Sequence, residues 1–166
     1  MYKINFEQPV HVHFIGIGGI SMSGLAEVLL EEHFTISGSD NKRSPLTEQL
    51  EKSGVTIFYG QKASNIIEGI DVVVYTAAIH EDNEEYQAAV QKGLPMLSRA
   101  ELLGQLMTNY DTPIAVSGTH GKTTTTSMLS HILLSAEMDP TISVGDRKST
   151  RLNSSHSRRS RMPSSA

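Results

Sequence analysis

A glycine-rich segment late in the chain carries the residue types that bind a nucleoside triphosphate. It stands between an apolar run and a helical pattern. In such a loop, backbone N–H groups surround the phosphates, the lysine neutralises β/γ charge, and the following hydroxyl suits Mg²⁺. Because Val116 stands where the full pattern has its first glycine, the alternative is a chance Gly-Lys-Thr at an ordinary helix start. We predict ATP binding, with Mg²⁺ at the first threonine after the lysine. The predicted ATP-binding residues are Gly118, Thr119, His120, Gly121, Lys122, Thr123 and Thr124.

A second glycine loop lies near the start of the chain, between a β-rich run and a helical pattern. Its backbone N–H groups and the following helix could hold a diphosphate. Ser21 occupies the third glycine position of G-x-G-x-x-G, and Asp40 follows the next β-rich run, where a dinucleotide site has its ribose-binding acid. We predict a nucleotide diphosphate site, although this loop alone does not separate NAD from other diphosphates. The alternative is a tight turn with a solvated Asp40. The predicted contacts are Gly16, Gly18, Gly19, Ser21, Met22, Ser23 and Asp40.

The histidines carry less information about chemistry. His11 and His13 alternate along the first β-rich run, which favours partly buried sheet positions over metal ligands. His33 and His131 fall in helical patterns and are expected at the surface. His120 lies inside the second loop, where it could shape the loop or the site. No spacing in the sequence indicates a metal cluster or a Ser/His/Asp triad.

Strands and helices alternate in front of the second loop, which predicts a parallel sheet with right-handed crossovers. The predicted strands are 10–15, 34–38, 55–58, 72–75 and 94–97, and the predicted helices are about 22–30, 44–50, 86–90 and 99–107. After a linker at 109–113 the pattern restarts, with a strand at 114–116, a helix from 122 to about 137 and a strand opening at 141–144. The expected class is therefore α/β, a Rossmann-like parallel-sheet N-terminal domain followed by the truncated start of a phosphate-loop central domain.

Composition limits the function classes. The first 145 residues hold eight Lys/Arg and 17 Asp/Glu, a net charge of −9, which does not favour nucleic-acid binding. No apolar run approaches the roughly 20 residues that span a bilayer, and no secretory signal is evident at the N-terminus. The absence of cysteine fits a reducing cytoplasm. We expect a cytoplasmic protein with no nucleic-acid or membrane partner.

The last 21 residues differ from the rest, with six basic residues and one acid. Residues 146–156 can be back-translated into a common sequencing-library adapter, and the segment has almost nothing to bury. We interpret 146–166 as a disordered tail of adapter origin rather than a nucleic-acid-binding arm. The predicted organisation is therefore a first domain at 1–108, the start of a second at 109–145, and the tail.

The two loops in this order resemble the Mur ligase family over residues 1 to about 145. The resemblance also rests on Ser37-Gly38-Ser39-Asp40, Tyr75-Thr76-Ala77-Ala78-Ile79 and Ser98-Arg99-Ala100-Glu101. His120 is similar to the alanine-adding branch, whereas sibling ligases usually have Asn there. Two alternatives remain, the murein-peptide ligase of wall recycling, which shares the histidine, and a nicotinamide-binding dehydrogenase module, which leaves Gly121-Lys122-Thr123 unexplained.

The resemblance implies a reaction in peptidoglycan synthesis. The first domain would bind UDP-N-acetylmuramate, and the central domain would bind ATP and Mg²⁺. The γ-phosphate would pass to the lactyl carboxylate, and the amine of L-alanine would attack the acyl phosphate. Lys122 would be catalytic, stabilising transition-state charge, and Thr123 would bind Mg²⁺. Family members continue well beyond this length, so we expect this chain alone not to be a working ligase.

Overall fold

The computed structural model describes residues 2–138 and 140–143. The strands are β1 (His11–Ile15), β2 (Thr35–Asp40), β3 (Thr56–Tyr59), β4 (Val72–Tyr75) and β5 (Met96–Ser98). The helices are α1 (Ile20–Glu31), α2 (Pro45–Lys52), α3 (Glu84–Gln91), α4 (Arg99–Met107) and α5 (Lys122–Ser135), with a short 3-10 helix at Ala63–Asn65. The predicted strand at 72–75 and helix at 99–107 have the same bounds in the structure.

The five strands form one parallel sheet in the order β3-β2-β1-β4-β5. Val12 of β1 is paired with Ile36 of β2 on one side and with Val72 of β4 on the other. The chain therefore fills one half of the sheet through β3, returns to the centre, and fills the other half. This confirms the predicted α/β class with a Rossmann-like parallel sheet.

Helices cover both faces of the sheet because strand side chains alternate between the faces. Val12 and Phe14 of β1 belong to a core that includes residues of α1, α2 and α4. Ile15 belongs to a second core, with Val73 of β4 and Ala89 of α3. The apolar spacing of α1 follows from this arrangement, since its buried residues recur on one side of the helix.

Side-chain caps fix the starts of the two helices that follow β4 and β5. Asn83 accepts hydrogen bonds from the N–H groups of Glu85 and Tyr86 at the start of α3. Ser98 and Glu101 form a reciprocal capping box at the start of α4. Both helix starts lie at the carboxyl ends of strands, so the caps set the positions of residues near that edge of the sheet.

Two predicted strands and the predicted position of one histidine differ from the structure. The predicted strand at 114–116 is wrong, because no described residue near it provides a neighbouring strand, and a strand needs that partner for its N–H and C=O groups. Residues 141–143 are not in a strand either, and Val144 lies outside the described residues. His33 is exposed as expected, but it follows α1 in a left-handed conformation (φ 68°) rather than lying in the helix.

The chain divides into two compact units after Ala115. In the second unit α5 ends at Ser135, two residues before the predicted end, and among its residues only Ser130 is buried. Met128 and Ile132 of α5 are 63% and 64% exposed. Asp139 and the tail at 146–166 lie outside the described residues. Within the described part of the chain, every helix is too short or too polar to cross a membrane.

Candidate functional site

The first glycine loop lies where the sheet changes direction. It follows β1, whose neighbours are β2 on one side and β4 on the other. The connection from β1 leads toward the β2 edge, and the connection from β4 leads toward the β5 edge. These diverging connections leave a crevice at the carboxyl ends of β1 and β4, which is where open parallel sheets bind ligands.

The carboxyl end of β2 holds the first loop in place. The N–H groups of Gly16 and Ile17 both donate to the carbonyl oxygen of Ser39, at 2.9 Å each. Gly16 has a φ of 86°, a conformation that favours glycine. The loop then enters α1 at Ile20, so the first N–H groups of a 12-residue helix follow directly after the glycines.

Asp40 contacts the loop directly. Its Oδ2 atom accepts a hydrogen bond of 2.9 Å from the N–H of Gly18, and its Oδ1 atom accepts one from Lys42. A Cβ atom added at Gly18 would lie 2.7 Å from Asp40 Oδ2 and 3.0 Å from a methyl carbon of Thr47. Asp40 is therefore partly buried and bonded to the loop backbone, which disfavours the alternative of a solvated acid, and a side chain at Gly18 would displace Asp40 or Thr47.

Ser21, Met22 and Ser23 have different environments at the start of α1. The Ser21 hydroxyl accepts a 3.0 Å hydrogen bond from the guanidinium of Arg99. The Met22 side chain lies in the core, and the Ser23 hydroxyl is bonded to the carbonyl oxygen of Ile20. Of these three predicted contacts, Ser21 is the residue whose side chain is hydrogen-bonded to another residue of the candidate site, Arg99.

Arg99 and Thr76 belong to segments that carry the resemblance to the Mur ligase family, but no local sequence pattern assigns either residue to this site. Arg99 is the first residue of α4, directly after β5, and it lies 78 residues from its partner Ser21. Thr76 follows β4, and its methyl carbon lies 3.5 Å from the position of a Cβ atom at Gly16. The rule that carboxyl ends of parallel strands share one edge is the signal that could have placed both there.

Two titrating groups border this edge of the sheet. Hydrogen bonds from Ser98 hold the pKa of the Glu101 carboxyl below its usual value, which keeps the α4 cap ionised. Burial, with the neighbouring Tyr86 and Glu101, raises the pKa of Tyr75 and keeps its hydroxyl protonated. Near neutral pH, Glu101 therefore contributes a negative charge and Tyr75 a neutral hydroxyl.

A buried polar network lies beneath the loop on the α3 side of the sheet. His13 Nε2 lies 2.7 Å from Glu85 Oε1, and both residues are fully buried. The hydroxyl of Ser39 donates to Glu85 Oε2 at 2.6 Å. Ser37 Oγ lies 2.8 Å from both His11 Nε2 and His13 Nδ1. The prediction that His11 and His13 are sheet residues fits these contacts.

The second loop belongs to the second compact unit, which begins at Val116. Gly121 has a left-handed conformation (φ 78°) immediately before α5. The ammonium of Lys122 donates to the carbonyl oxygens of Gly118 and Thr119, at 2.6 and 3.2 Å. All the predicted ATP-binding residues are exposed. The described residues contain no cluster of three or more His, Asp or Glu side chains arranged to hold a metal ion.

Comparison with known proteins links these features to one family. A family model described as "Mur ligase family, catalytic domain" matches residues 11–111. The chain is 70% identical, over 145 residues, to a UDP-N-acetylmuramate–L-alanine ligase of Agathobacter rectalis, and the match covers 87% of this chain and 32% of that protein. A ligase of the same name from Lachnospira eligens is 63% identical, with the same coverage. The chain thus spans about a third of the length of these curated relatives.

Solved structures agree with the sequence matches. A UDP-N-acetylmuramate:L-alanyl-γ-D-glutamyl-meso-diaminopimelate ligase of Neisseria meningitides is similar with a TM-score of 0.73 and 36% identity, covering 80% of this chain and 42% of that one. A UDP-N-acetylmuramate–alanine ligase of Thermotoga maritima gives a TM-score of 0.72 and 33% identity, covering 77% and 30%. Similarity of fold therefore does not separate the two kinds of ligase.

Proposed function

This chain belongs to the Mur ligase family, and we propose that it is the N-terminal part of an ATP-dependent ligase that joins L-alanine to UDP-N-acetylmuramate in peptidoglycan synthesis. The observation that carries the proposal is the 70% identity to an L-alanine ligase, in a region that includes the glycine loop at the sheet crevice. The identity also extends through the second loop, since it covers 145 residues.

The first unit is proposed to bind the UDP end of UDP-N-acetylmuramate. The diphosphate would pack against the backbone of Gly16, Gly18 and Gly19, whose N–H groups already have acceptors within the protein. It would accept hydrogen bonds from the first N–H groups of α1, which have no partner within the helix and favour anions. Arg99 adds a positive charge at the same end of α1, through its hydrogen bond to Ser21. Asp40 is at the β2 side of the loop, where an acid can accept hydrogen bonds from a ribose or a base.

The second loop, Gly118–Thr124, is proposed to bind ATP. The start of the 14-residue helix α5 fits a phosphate group, because its first N–H groups lack partners within the helix. The ammonium of Lys122 donates to neutral carbonyl oxygens of its own loop. It could therefore turn toward the phosphates of ATP and stabilise the negative charge that develops on them in the transition state. The hydroxyl of Thr123 is proposed to bind Mg²⁺. ATP supplies the phosphate that activates the lactyl carboxylate toward the amine of L-alanine.

The domain limits and the location are proposals as well. We propose a first domain at residues 1–108 and the start of a second at 109–145, and the division into compact units falls seven residues later, after Ala115. The nucleotide substrates support a cytoplasmic location, with small molecules as partners rather than nucleic acid or membrane.

Calorimetry with the 166-residue chain tests the first part of this function. We expect binding of UDP-N-acetylmuramate, weaker binding of UDP, and no binding of NADH. Gly18→Val should weaken binding, because its side chain would displace Asp40 and Thr47, which contact the loop. NADH binding without UDP-N-acetylmuramate binding would overturn the proposal in favour of a nicotinamide-binding module.

A murein-peptide ligase is the second candidate, because the Neisseria structure is as similar in fold as the Thermotoga alanine ligase. Residues 1–143 can be fused to the remaining part of the Agathobacter alanine ligase, or to that of the Neisseria ligase. We expect the first fusion to join L-alanine and the second to be poorly active with its peptide. The reverse result would favour the second candidate.

A further inference from the structure

The buried carboxylate of Glu85 connects three parts of the structure that meet beneath the first glycine loop. Glu85 is at the start of α3, 72 residues from His13 in β1 and 46 residues from Ser39 in β2. Its two carboxylate oxygens each have one partner, His13 on one side and Ser39 on the other. The first turn of α3 is thereby joined to the two strands that bear and hold the loop.

A buried carboxylate contributes little net stability to a fold, because its desolvation is unfavourable. An apolar replacement of similar volume is often as stable or more stable. Glu85 is fully buried, and the described residues leave no buried side-chain polar atom unsatisfied. The network therefore fixes a geometry, and what it fixes is the carboxyl end of β2.

That end of β2 holds the loop at three N–H groups. The carbonyl oxygen of Ser39 accepts from Gly16 and Ile17, and the carboxylate of the next residue, Asp40, accepts from Gly18. A shift of Ser39 would move all three donors and would reorient the glycines. The glycines lead directly into the first turn of α1, whose N–H groups would bind the diphosphate. Groups that contact a ligand need positions accurate to well under about 1 Å to bind it fully.

We propose that Glu85 is a positioning residue for the diphosphate-binding loop, acting through Ser39. The proposal rests on the proposed function, since it names a further residue that supports binding of UDP-N-acetylmuramate. Glu85 does not touch the ligand. It holds the strand end whose carbonyl and carboxylate groups orient the loop amides.

The test compares variants of the 166-residue chain. Glu85→Ala removes both hydrogen bonds, whereas Glu85→Gln keeps an acceptor for His13 and a polar partner for Ser39. Glu84→Ala is the control for charge, because Glu84 is the exposed neighbour on the same helix turn. Ala89→Gly is the control for stability, because it weakens the same helix at a buried residue outside the network.

Two measurements are made on each variant, the affinity for UDP-N-acetylmuramate by calorimetry and the exchange rates of the Gly16, Ile17 and Gly18 amides by NMR. Glu85→Ala is expected to weaken binding about tenfold or more and to speed exchange at these three amides. Glu85→Gln and Glu84→Ala should remain within about twofold of the wild type. Ala89→Gly should lower the melting temperature without a selective change at the loop.

Equal effects of Glu85→Ala and Ala89→Gly on binding and on loop exchange would overturn the inference while leaving the proposed function intact. A wild-type chain that does not bind UDP-N-acetylmuramate would overturn the proposed function and the inference with it. If Glu85→Ala does not fold, Ser39→Ala decides, because it removes the bond to β2 and leaves the His13–Glu85 pair. Loop exchange unchanged from the wild type in Ser39→Ala would then overturn the inference.

Discussion

The two glycine loops follow the same local plan, yet they are held in different ways. In the first loop, the partners of Gly16, Ile17 and Gly18 belong to β2, more than 20 residues away along the chain. In the second loop, the Lys122 ammonium bonds two carbonyl oxygens of the loop itself. A short sequence motif can thus set the shape of a turn, but neighbouring strands provide the rigid frame around it.

The segments that lead into the two loops also differ in how deeply their apolar side chains are buried. β1, which leads into the first loop, ends in the fully buried Phe14 and Ile15. The segment that leads into the second loop is not in a strand, and Ile114 within it is 54% exposed. We expect the first loop to be ordered before its ligand binds, and the second to become ordered on binding, with part of the binding free energy used for ordering.

The largest expected effect is on stability, from Gly38→Ala. An added Cβ atom would lie 2.7 Å from the carbonyl oxygen of Phe14 and 2.8 Å from Ile17 Cδ1. We expect the free energy of unfolding to fall by about 2–3 kcal/mol, as for an overpacked core. Gly121→Ala is the matched change beside the second loop, where the added atom meets open space and only the φ of 78° is unfavourable. Urea denaturation followed by circular dichroism measures both, and equal losses would contradict the comparison.

Arg99→Ala is expected to weaken UDP-N-acetylmuramate binding by about tenfold or more, because a charge-assisted hydrogen bond to a phosphate contributes about 1.5–3 kcal/mol. Calorimetry measures the affinity, and the melting temperature should change little, since the guanidinium is only half-buried. Lys52→Ala removes an exposed positive charge at the end of α2 and serves as the control. A loss of the same size in Lys52→Ala would show a general charge effect.

Lys122→Ala is expected to have a smaller effect on ligand binding, lowering ATP affinity by about threefold, because a charge in water is screened by salt. The ammonium is exposed in the structure, so its interaction with phosphate should weaken further between low and high salt. NMR titration with ATP at two salt concentrations measures this. An effect as large as that of Arg99→Ala would mean that the second loop is already as well organised as the first.

The smallest expected effect is the pH dependence from His11. Burial, with His13 close by, lowers the pKa of His11, although a Gly69 carbonyl and Asp71 act in the opposite direction. Because the pKa of His11 is lower in the folded protein, the unfolded chain binds a proton at His11 more readily. The contribution of neutral His11 to the free energy of unfolding is therefore fully present above the usual pKa of 6.5, and it is lost as the pH falls through the lowered pKa of the folded state. The urea midpoint of the wild type should drop more between pH 7.5 and 5.5 than that of His11→Gln. The same slope in both proteins would show that another group titrates.

The sequence predicted the sheet well because its strands are apolar runs between turns, and α1 has a clear helical period. The predicted strand at 114–116 failed for the opposite reason, since its residue types favour a strand but only a neighbouring strand could stabilise it. The sequence also placed Gly16 and Gly18 in a loop after β1, because clustered glycines between an apolar run and a helical pattern favour a turn. Arg99 and Glu85 were missed because their partners lie 78 and 72 residues away, and no local pattern marks contacts of that separation.

The central position of β1 has a consequence for synthesis of the chain. β2 can pair with β1 early, but the other edge of β1 has no partner until β4 has been made, from Val72 onward. At about 5–20 residues per second, the strand has an open edge for roughly 2–7 s after β2 is complete. An open apolar edge readily pairs with another chain. Fragments that stop before Val72 are therefore expected to aggregate. Fragments that extend through α4 can pair β1 on both sides and are expected to remain monomeric.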